Sequence, residues 1–337
     1  MLSVAQRLAL RLKRRRLQLS AIAKSRELKC IVDRSSLIRR GDVLLASTLR
    51  NERIRLPFFF DFYRSRGIGH FLIVDNGSDD GSFEWLRKQP DVTLWRTTAS
   101  YKASRFGMDW LNAILARKAA GHWVLTVDVD EFLLYPHGDV RPIRALTDWL
   151  DNSSLKAFPA MLLDMYSDGP IEQARYSEGK NPFDILQWFD PAGYTIRRNR
   201  LYGNLWIQGG PRMRAFFGDS PERAPALNKV PLVRWARGYV YHSSTHSLLP
   251  RGLNRVYDEW GGEKPSGCLL HAKFLHVFKE KALEEAQRRQ HYADSREYSA
   301  YRAGLNGGRT FWTEQSERLS GWRQLEDIGL MSSGGWI

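Results

Sequence analysis

Between residues 42 and 134 the chain alternates short apolar runs with stretches of helical spacing. Asp42 to Thr48 reads as a first buried strand. A helix is predicted from about Glu52, with Leu56, Phe59, Phe60 and Tyr63 on one face. Pro57 sits one turn in, where its missing N–H is tolerated. Gly67-Ile68-Gly69 ends that helix, and His70 to Val74 is the second strand. A polar turn from Asp75 to Ser82 follows, in which Asp80 or Ser82 can cap a short helix carrying Phe83, Trp85 and Leu86. Asp91 to Trp95 is the third strand. Met108, Leu111, Ile114 and Leu115 predict an amphipathic helix from about Ser104 to Ala120, terminated by Gly121. Trp123 to Val127 is the fourth strand, apolar throughout as a strand covered on both faces is. This alternation implies parallel pairing, right-handed crossovers and ligands at the carboxyl ends of the strands.

The second half has a different texture. After Pro142 a helix is predicted to about Asn152, and Leu155 to Met165 supplies one or two strands. From there to about His246 the chain is rich in Gly, Pro and aromatic residues, with strand-like pieces at Tyr194-Thr195-Ile196 and Gly238 to His242 and a forced turn at Gly209-Gly210-Pro211. This reads as a loop-rich antiparallel half. Leu269 to His276 is another strand-like piece, residues 278–303 are a charged helical segment, and the tail from Gly304 wraps or caps. A length of 337 residues suits one large domain or two small ones.

Charge changes the picture at one end only. Residues 2–29 are predicted helical, with Ala5, Leu8, Ala9 and Leu12 on one face, followed by a basic run through Arg11, Lys13, Arg14, Arg15 and Arg16. The net charge is +14, and residues 1–40 hold twelve Lys and Arg against Glu27 and Asp33, so +10 of it lies there. Such a segment suits a helix lying on an anionic membrane, a solvated basic helix on the body, or a partner-binding arm. It lacks the aromatic residues a nucleic-acid arm uses for stacking, so no specific nucleic acid is expected. An Arg-rich, acid-poor start is also the composition of an organelle transit peptide. No run of eighteen apolar residues offers a membrane span, and no apolar core follows the first charges as in a secretory signal. Cys30 and Cys268 form neither a disulfide framework nor a metal-ligand spacing. The expectation is a cytoplasmic protein, with peripheral contact on the inner face of the membrane.

The candidate chemistry sits at three strand ends: Arg50-Asn51-Glu52, Asp75 to Asp80, and Asp128-Val129-Asp130-Glu131. The last is the most unusual. Three carboxylates follow an apolar strand, and Phe132-Leu133-Leu134 resumes at once, which is costly unless their charge is compensated. A hard divalent cation, Mg2+ or Mn2+, is a natural compensation. The alternative is a solvated turn, and the Asn, Asp and Gly of the second cluster alone would suit an ordinary polar turn.

The ordered set Leu49-Arg50-Asn51-Glu52, Val74 to Gly81 and Val127-Asp128-Val129-Asp130-Glu131-Phe132 resembles glycosyltransferases of the GT-A fold. More closely it resembles the family-two-like bacterial branch with an Asp-x-Asp-Glu-Phe motif, which also shows a Gly-Gly-Pro-Arg and a His-x-Lys-Phe, here Gly209 to Arg212 and His271 to Phe274. The likeness spans roughly residues 43–300. It implies an α/β, Rossmann-like, mostly parallel sheet with helices on both faces, followed by an antiparallel acceptor-side half. The corresponding division is a basic extension at 1–40, a glycosyltransferase domain at 41–290 split near 150, and a tail at 291–337. It implies transfer from a uridine or guanosine diphosphate sugar to a glycan, lipid-linked or protein hydroxyl, of the kind that builds polysaccharides, with inversion at the sugar.

In that scheme Asp130 and His271 ligate the metal, and Asp128 reaches it directly, through a bound water, or contacts ribose. Glu131 supports these ligands. Arg50, Asn51, Glu52, Asp75, Asn76, Ser78 and Asp79 hold the nucleotide, with Asp75 accepting from the base. Arg105 and Lys273 contact phosphate. The branch's usual base motif has no clean counterpart. Asp164 and Asp168 are the candidates for the general base, with Asp258 and Glu259 as further ones. His271 is otherwise a packed strand histidine. His242, His246 and His276 suit structural roles, and Trp188, Trp206, Trp235 and Trp260 suit the core, one or two of them against a sugar face. Two other classes are open. One is a phosphohydrolase on Asp128 and Asp130, against which Glu131-Phe132 replaces the small turn residues such enzymes need. The other is a non-catalytic basic binder of membrane or nucleic acid.

Overall fold

The computed structural model describes residues 2–257, 264–278 and 310–337. Its centre is a nine-stranded sheet in the order β1-β4-β3-β2-β5-β11-β7-β14-β6. The predicted strands form four adjacent parallel members: β2 (Val43–Leu49), β3 (Ile68–Asp75), β4 (Val92–Arg96) and β5 (Trp123–Thr126). On β2 and β3 alternate residues serve opposite layers. Leu45, Phe71 and Ile73 pack on α2 (Leu56–Ser65), α3 (Ser82–Arg87) and α5 (Ile143–Asn152), while Leu44, Ala46, Leu72 and Val74 pack on α4 (Met108–Lys118). Both faces are apolar because both are covered, so the expected α/β architecture with helices on the two faces is present.

The other half of the sheet mixes directions. After β6 (Glu131–Leu134), β7 (Ala157–Asp164) is followed by β8 (Trp188–Phe189), a hairpin of β9 (Thr195–Arg198) and β10 (Leu205–Gln208), and α6 (Gly210–Phe216). Then β11 (Asn228–Arg234) inserts antiparallel between β5 and β7. It contains Pro231, which argues against a central strand, and the structure accommodates it where the β11–β7 register shifts between Lys229 and Leu232. A hairpin of β12 (Val240–Ser243) and β13 (Ser247–Leu249) follows, and β14 (Gly267–His271) pairs parallel to β7 and antiparallel to β6. Near the end, β15 (Glu317–Arg318) pairs with β8, and α7 (Trp322–Asp327) lies beside buried Trp336. The tail packs onto the body through residues 310–337.

The N-terminal segment is divided differently from its expected single helix. Val4–Lys24 is α-helical (α1), Ser25–Glu27 adds one 3-10 turn, and β1 (Lys29–Val32) is an edge strand antiparallel to β4. Residues 29–32 therefore belong to the sheet, and a boundary at residue 40 cuts across it. No helix of the described residues is long and apolar enough to cross a membrane.

Phe132, next to the carboxylate turn, is 1% exposed and ringed by Phe58, Phe59, Phe62, Tyr63 and Phe183. Phe132→Ala is expected to cost about 3–5 kcal/mol in urea unfolding, because a ring in this cage leaves a cavity its neighbours cannot fill.

Candidate active site

A cleft of about 1060 Å3 opens at the carboxyl ends of the parallel strands. Arg50, Glu52, Asn76, Arg105, Asp128, Asp130, His271 and Lys273 all line it. Three separate elements build the floor. The turn between β5 and β6 is closed by Glu131 N–H donating to the Asp128 carbonyl at 3.0 Å, and Asp128 N–H donates to Glu131 Oε2 at 3.3 Å. Asp128 is exposed to the cleft, and Asp130 is half-buried beside it. β14 then lays His271 opposite Glu131 on one side and Asp164 on the other. β11 brings Lys229 to Glu131, with Nζ 2.8 Å from Oε1.

These pairings create one connected chain of charge. His271 Nε2 lies 3.4 Å from Asp130 Oδ2. Its Nδ1 is 2.6 Å from Asp164 Oδ1, and Asp164 Oδ2 accepts from Arg212 Nε at 2.6 Å. Burial pushes the Asp164 carboxyl up, but Arg212 and His271 outweigh it and hold it down at about 2. Burial likewise opposes ionisation of Asp130, and His271, Arg55 and Lys273 reverse that. Packing around the cleft floor, which strips water from the Asp128 carboxyl, then Glu131, raise it above its ordinary range. Burial disfavours the charged forms of His271 and Lys229, and their carboxylate partners more than restore them.

Asp164 is thus committed on both oxygens beneath His271, 2% exposed and off the cleft wall, which is not the setting of a general base. Its arrangement is that of a carboxylate fixing the tautomer and direction of a histidine ring. Asp168 is exposed outside the cleft, with its carbonyl accepting from Thr310 Oγ1 at 3.3 Å. Asp258 and Glu259 lie outside the described residues.

The nucleotide-side residues divide into wall and scaffold. Arg50 Nη1 donates to the carbonyls of Asn76 and Gly77, at 3.2 and 2.7 Å, which ties the end of β2 to the end of β3. Asn51, at φ 52°, donates its N–H to Ser78 Oγ at 3.0 Å and accepts from Asp79 N–H at 3.0 Å. Asp75 is fully buried. It accepts from Gly77 and Ser78 N–H and pairs with Arg96 at 3.2 Å, so it shapes the turn from within. Asn51, Asp75, Ser78 and Asp79 are not on the cleft wall. Arg55, which pairs with Glu52 at 2.8 Å, is on it. Across the cleft, Arg105 bridges Asp109 of α4 (3.0 Å from Nε) to the His242 carbonyl of β12 (3.1 Å).

Lys229, Arg55 and the wall residues Asp219 and Glu222 are absent from the sequence-based set. The signal for Lys229 was a lone lysine in an apolar strand, which the proline beside it concealed.

Asp130 and His271 present donors 3.4 Å apart, a separation two ligands of one ion with bonds of about 2.1 Å can adopt. Among the described residues no group of three or more His, Cys, Asp and Glu forms a metal cage. Two protein donors would leave most of an ion's coordination to oxygens of water or ligand, an arrangement Mg2+ tolerates.

No model of a known protein family matches the chain, and no curated protein does. Among solved structures, a 4-diphosphocytidyl-2C-methyl-D-erythritol synthase matches at 12% identity over 42% of this chain and 66% of its own, with a TM-score of 0.27. A Bacillus anthracis chain assigned as a glucose-1-phosphate thymidylyltransferase, solved with sucrose, matches at 10% identity over 41% of this chain and 64% of its own, with a TM-score of 0.25. The chain spans just under two thirds of each. A likeness at that level bears on neither the site nor the reaction.

Proposed function

We propose that the chain is a divalent-metal-dependent glycosyltransferase that takes a sugar from a uridine or guanosine diphosphate sugar and passes it to an acceptor hydroxyl. The observation that carries this reading is Asp130 beside His271 at the cleft floor, with His271 fixed from behind by Asp164 and Arg212. Asp130 and His271 would hold Mn2+ or Mg2+, which when bound offsets the charge that builds on a departing diphosphate. Arg50 and Asn76 line the side where the nucleotide would sit, on a turn braced by Asn51, Asp75, Ser78 and Asp79. Arg105 and Lys273 add cations for phosphate. Asp128 opens onto the same floor, within reach of the metal or ribose. A glycan, lipid-linked or protein hydroxyl would enter over the wall of Trp206, Phe216 and Asp219. With Asp164 committed to His271, the base for an inverting transfer falls to a wall carboxylate, Asp219 or Glu222.

Isothermal titration with a panel of nucleoside diphosphates is the test. Binding of one of them is expected with Mn2+ present and is expected to weaken sharply once the metal is chelated. Binding by none, or binding indifferent to the metal, sinks the reading.

A further inference from the structure

Helix α1 has two apolar stripes on opposite sides. At about 100° per residue, Leu10, Leu17 and Ala21 fall on one stripe and Val4, Leu8, Leu12, Leu19 and Ile22 on the other. The first stripe is buried, with Leu10 and Leu17 packing on Val240 and Leu249. The second faces outward, its five residues between 55% and 74% exposed. Arg7, Arg11, Arg15 and Arg16 are exposed around it, and the helix contains no acidic residue. A surface helix that only packed on the body would keep its outer side polar.

A second patch of the same character lies on the β9–β10 hairpin, which packs against the inner side of α1. Lys13 Nζ donates to Tyr202 Oη at 2.6 Å, which joins α1 to the loop between β9 and β10. That hairpin exposes Ile196 and Leu201 among Arg197, Arg198 and Arg200.

We infer that the outer face of α1, with the tip of the β9–β10 hairpin, is a docking surface for an anionic phospholipid bilayer. The chemistry fits that partner on both counts. Exposed aliphatic side chains enter the acyl boundary, and flanking guanidinium groups meet lipid phosphates. The surface adjoins the cleft: Tyr202 stacks on the cleft-lining His242, with ring centroids 4.4 Å apart. Docking would therefore hold the cleft mouth at the headgroups. The inference does not depend on the glycosyltransferase reading.

Sedimentation of the full chain with vesicles tests it. Vesicles of phosphatidylcholine with about one-third phosphatidylglycerol are expected to carry the protein down, vesicles of phosphatidylcholine alone are not, and salt near 0.5 M is expected to release it. A Leu8→Ser, Leu12→Ser, Leu19→Ser variant and an Arg11→Gln, Arg15→Gln, Arg16→Gln variant should each bind about tenfold or more weakly. All these side chains point outward, so thermal unfolding should match the parent. Nucleoside-diphosphate binding should also be unchanged, which separates this result from the fate of the catalytic proposal. No sedimentation, equal binding to neutral vesicles, or variants that bind like the parent would overturn the inference. So would a dimer, by light scattering, that either variant dissolves, since the face would then belong to a second copy.

Discussion

Asp130→Ala is expected to lower sugar-nucleotide turnover about a thousandfold, a loss of about 4 kcal/mol in transition-state stabilisation. The size follows from how few donors the protein would offer an ion at this floor. Asp130 and His271 are the pair whose donors converge, and a single histidine does not hold Mg2+ or Mn2+, which favour oxygen ligands. Release of nucleoside diphosphate, followed across a manganese titration, reads the effect. The fold should survive, because Asp130 is only half-buried and its backbone carbonyl still accepts from Ala272 N–H at 2.8 Å. Asp164→Asn separates the roles. As a positioning residue it should weaken metal affinity about 10–100-fold and leave kcat at saturating metal close to the parent value. If Asp164 were the base, kcat would collapse at any metal concentration. Unaltered turnover and unaltered manganese dependence in Asp130→Ala would remove the metal from the mechanism.

Lys229→Met should cost about 3–5 kcal/mol of stability in chemical denaturation. Glu131 is 2% exposed and Lys229 is 5% exposed at the base of the cleft, so removing the lysine leaves a largely desolvated carboxylate without its cation. The cost lies in the orphaned charge more than in the lost attraction. Adding Glu131→Gln to Lys229→Met should therefore recover much of the loss, and a double variant as unstable as the single one would show that the pair matters through packing alone.

Parts of this arrangement are plain in the sequence. Val43–Leu49, Ile68–Asp75, Val92–Arg96 and Trp123–Thr126 are readable because a doubly covered strand is mostly apolar on both faces, and the polar clusters at their ends mark one edge of the sheet. The direction of a side chain at such an end is not readable. Asp75 ends β3 and Asp130 lies in the turn after β5, at the same edge of the sheet, yet Asp75 turns inward to its own amides and Asp130 turns to the cleft. Non-local pairing is hidden for a different reason. His271 meets Asp164 across 107 residues of sequence, through a parallel register that no local pattern encodes. The proline in β11 conceals both the strand and its lysine, and the short edge strand β1 is masked by the basic helix before it.

The sheet also sets the order in which competence can arise during synthesis. The histidine arrives on β14, the last of the nine strands in the chain, and its berth between β6 and β7 can be filled only once Gly267–His271 has left the ribosome. A product that stops short of Gly267 can form the parallel half and its turns but lacks the nitrogen that faces Asp130. Fragments from interrupted translation therefore lack the Asp130–His271 pair, and only a chain that has closed its final seam can assemble it.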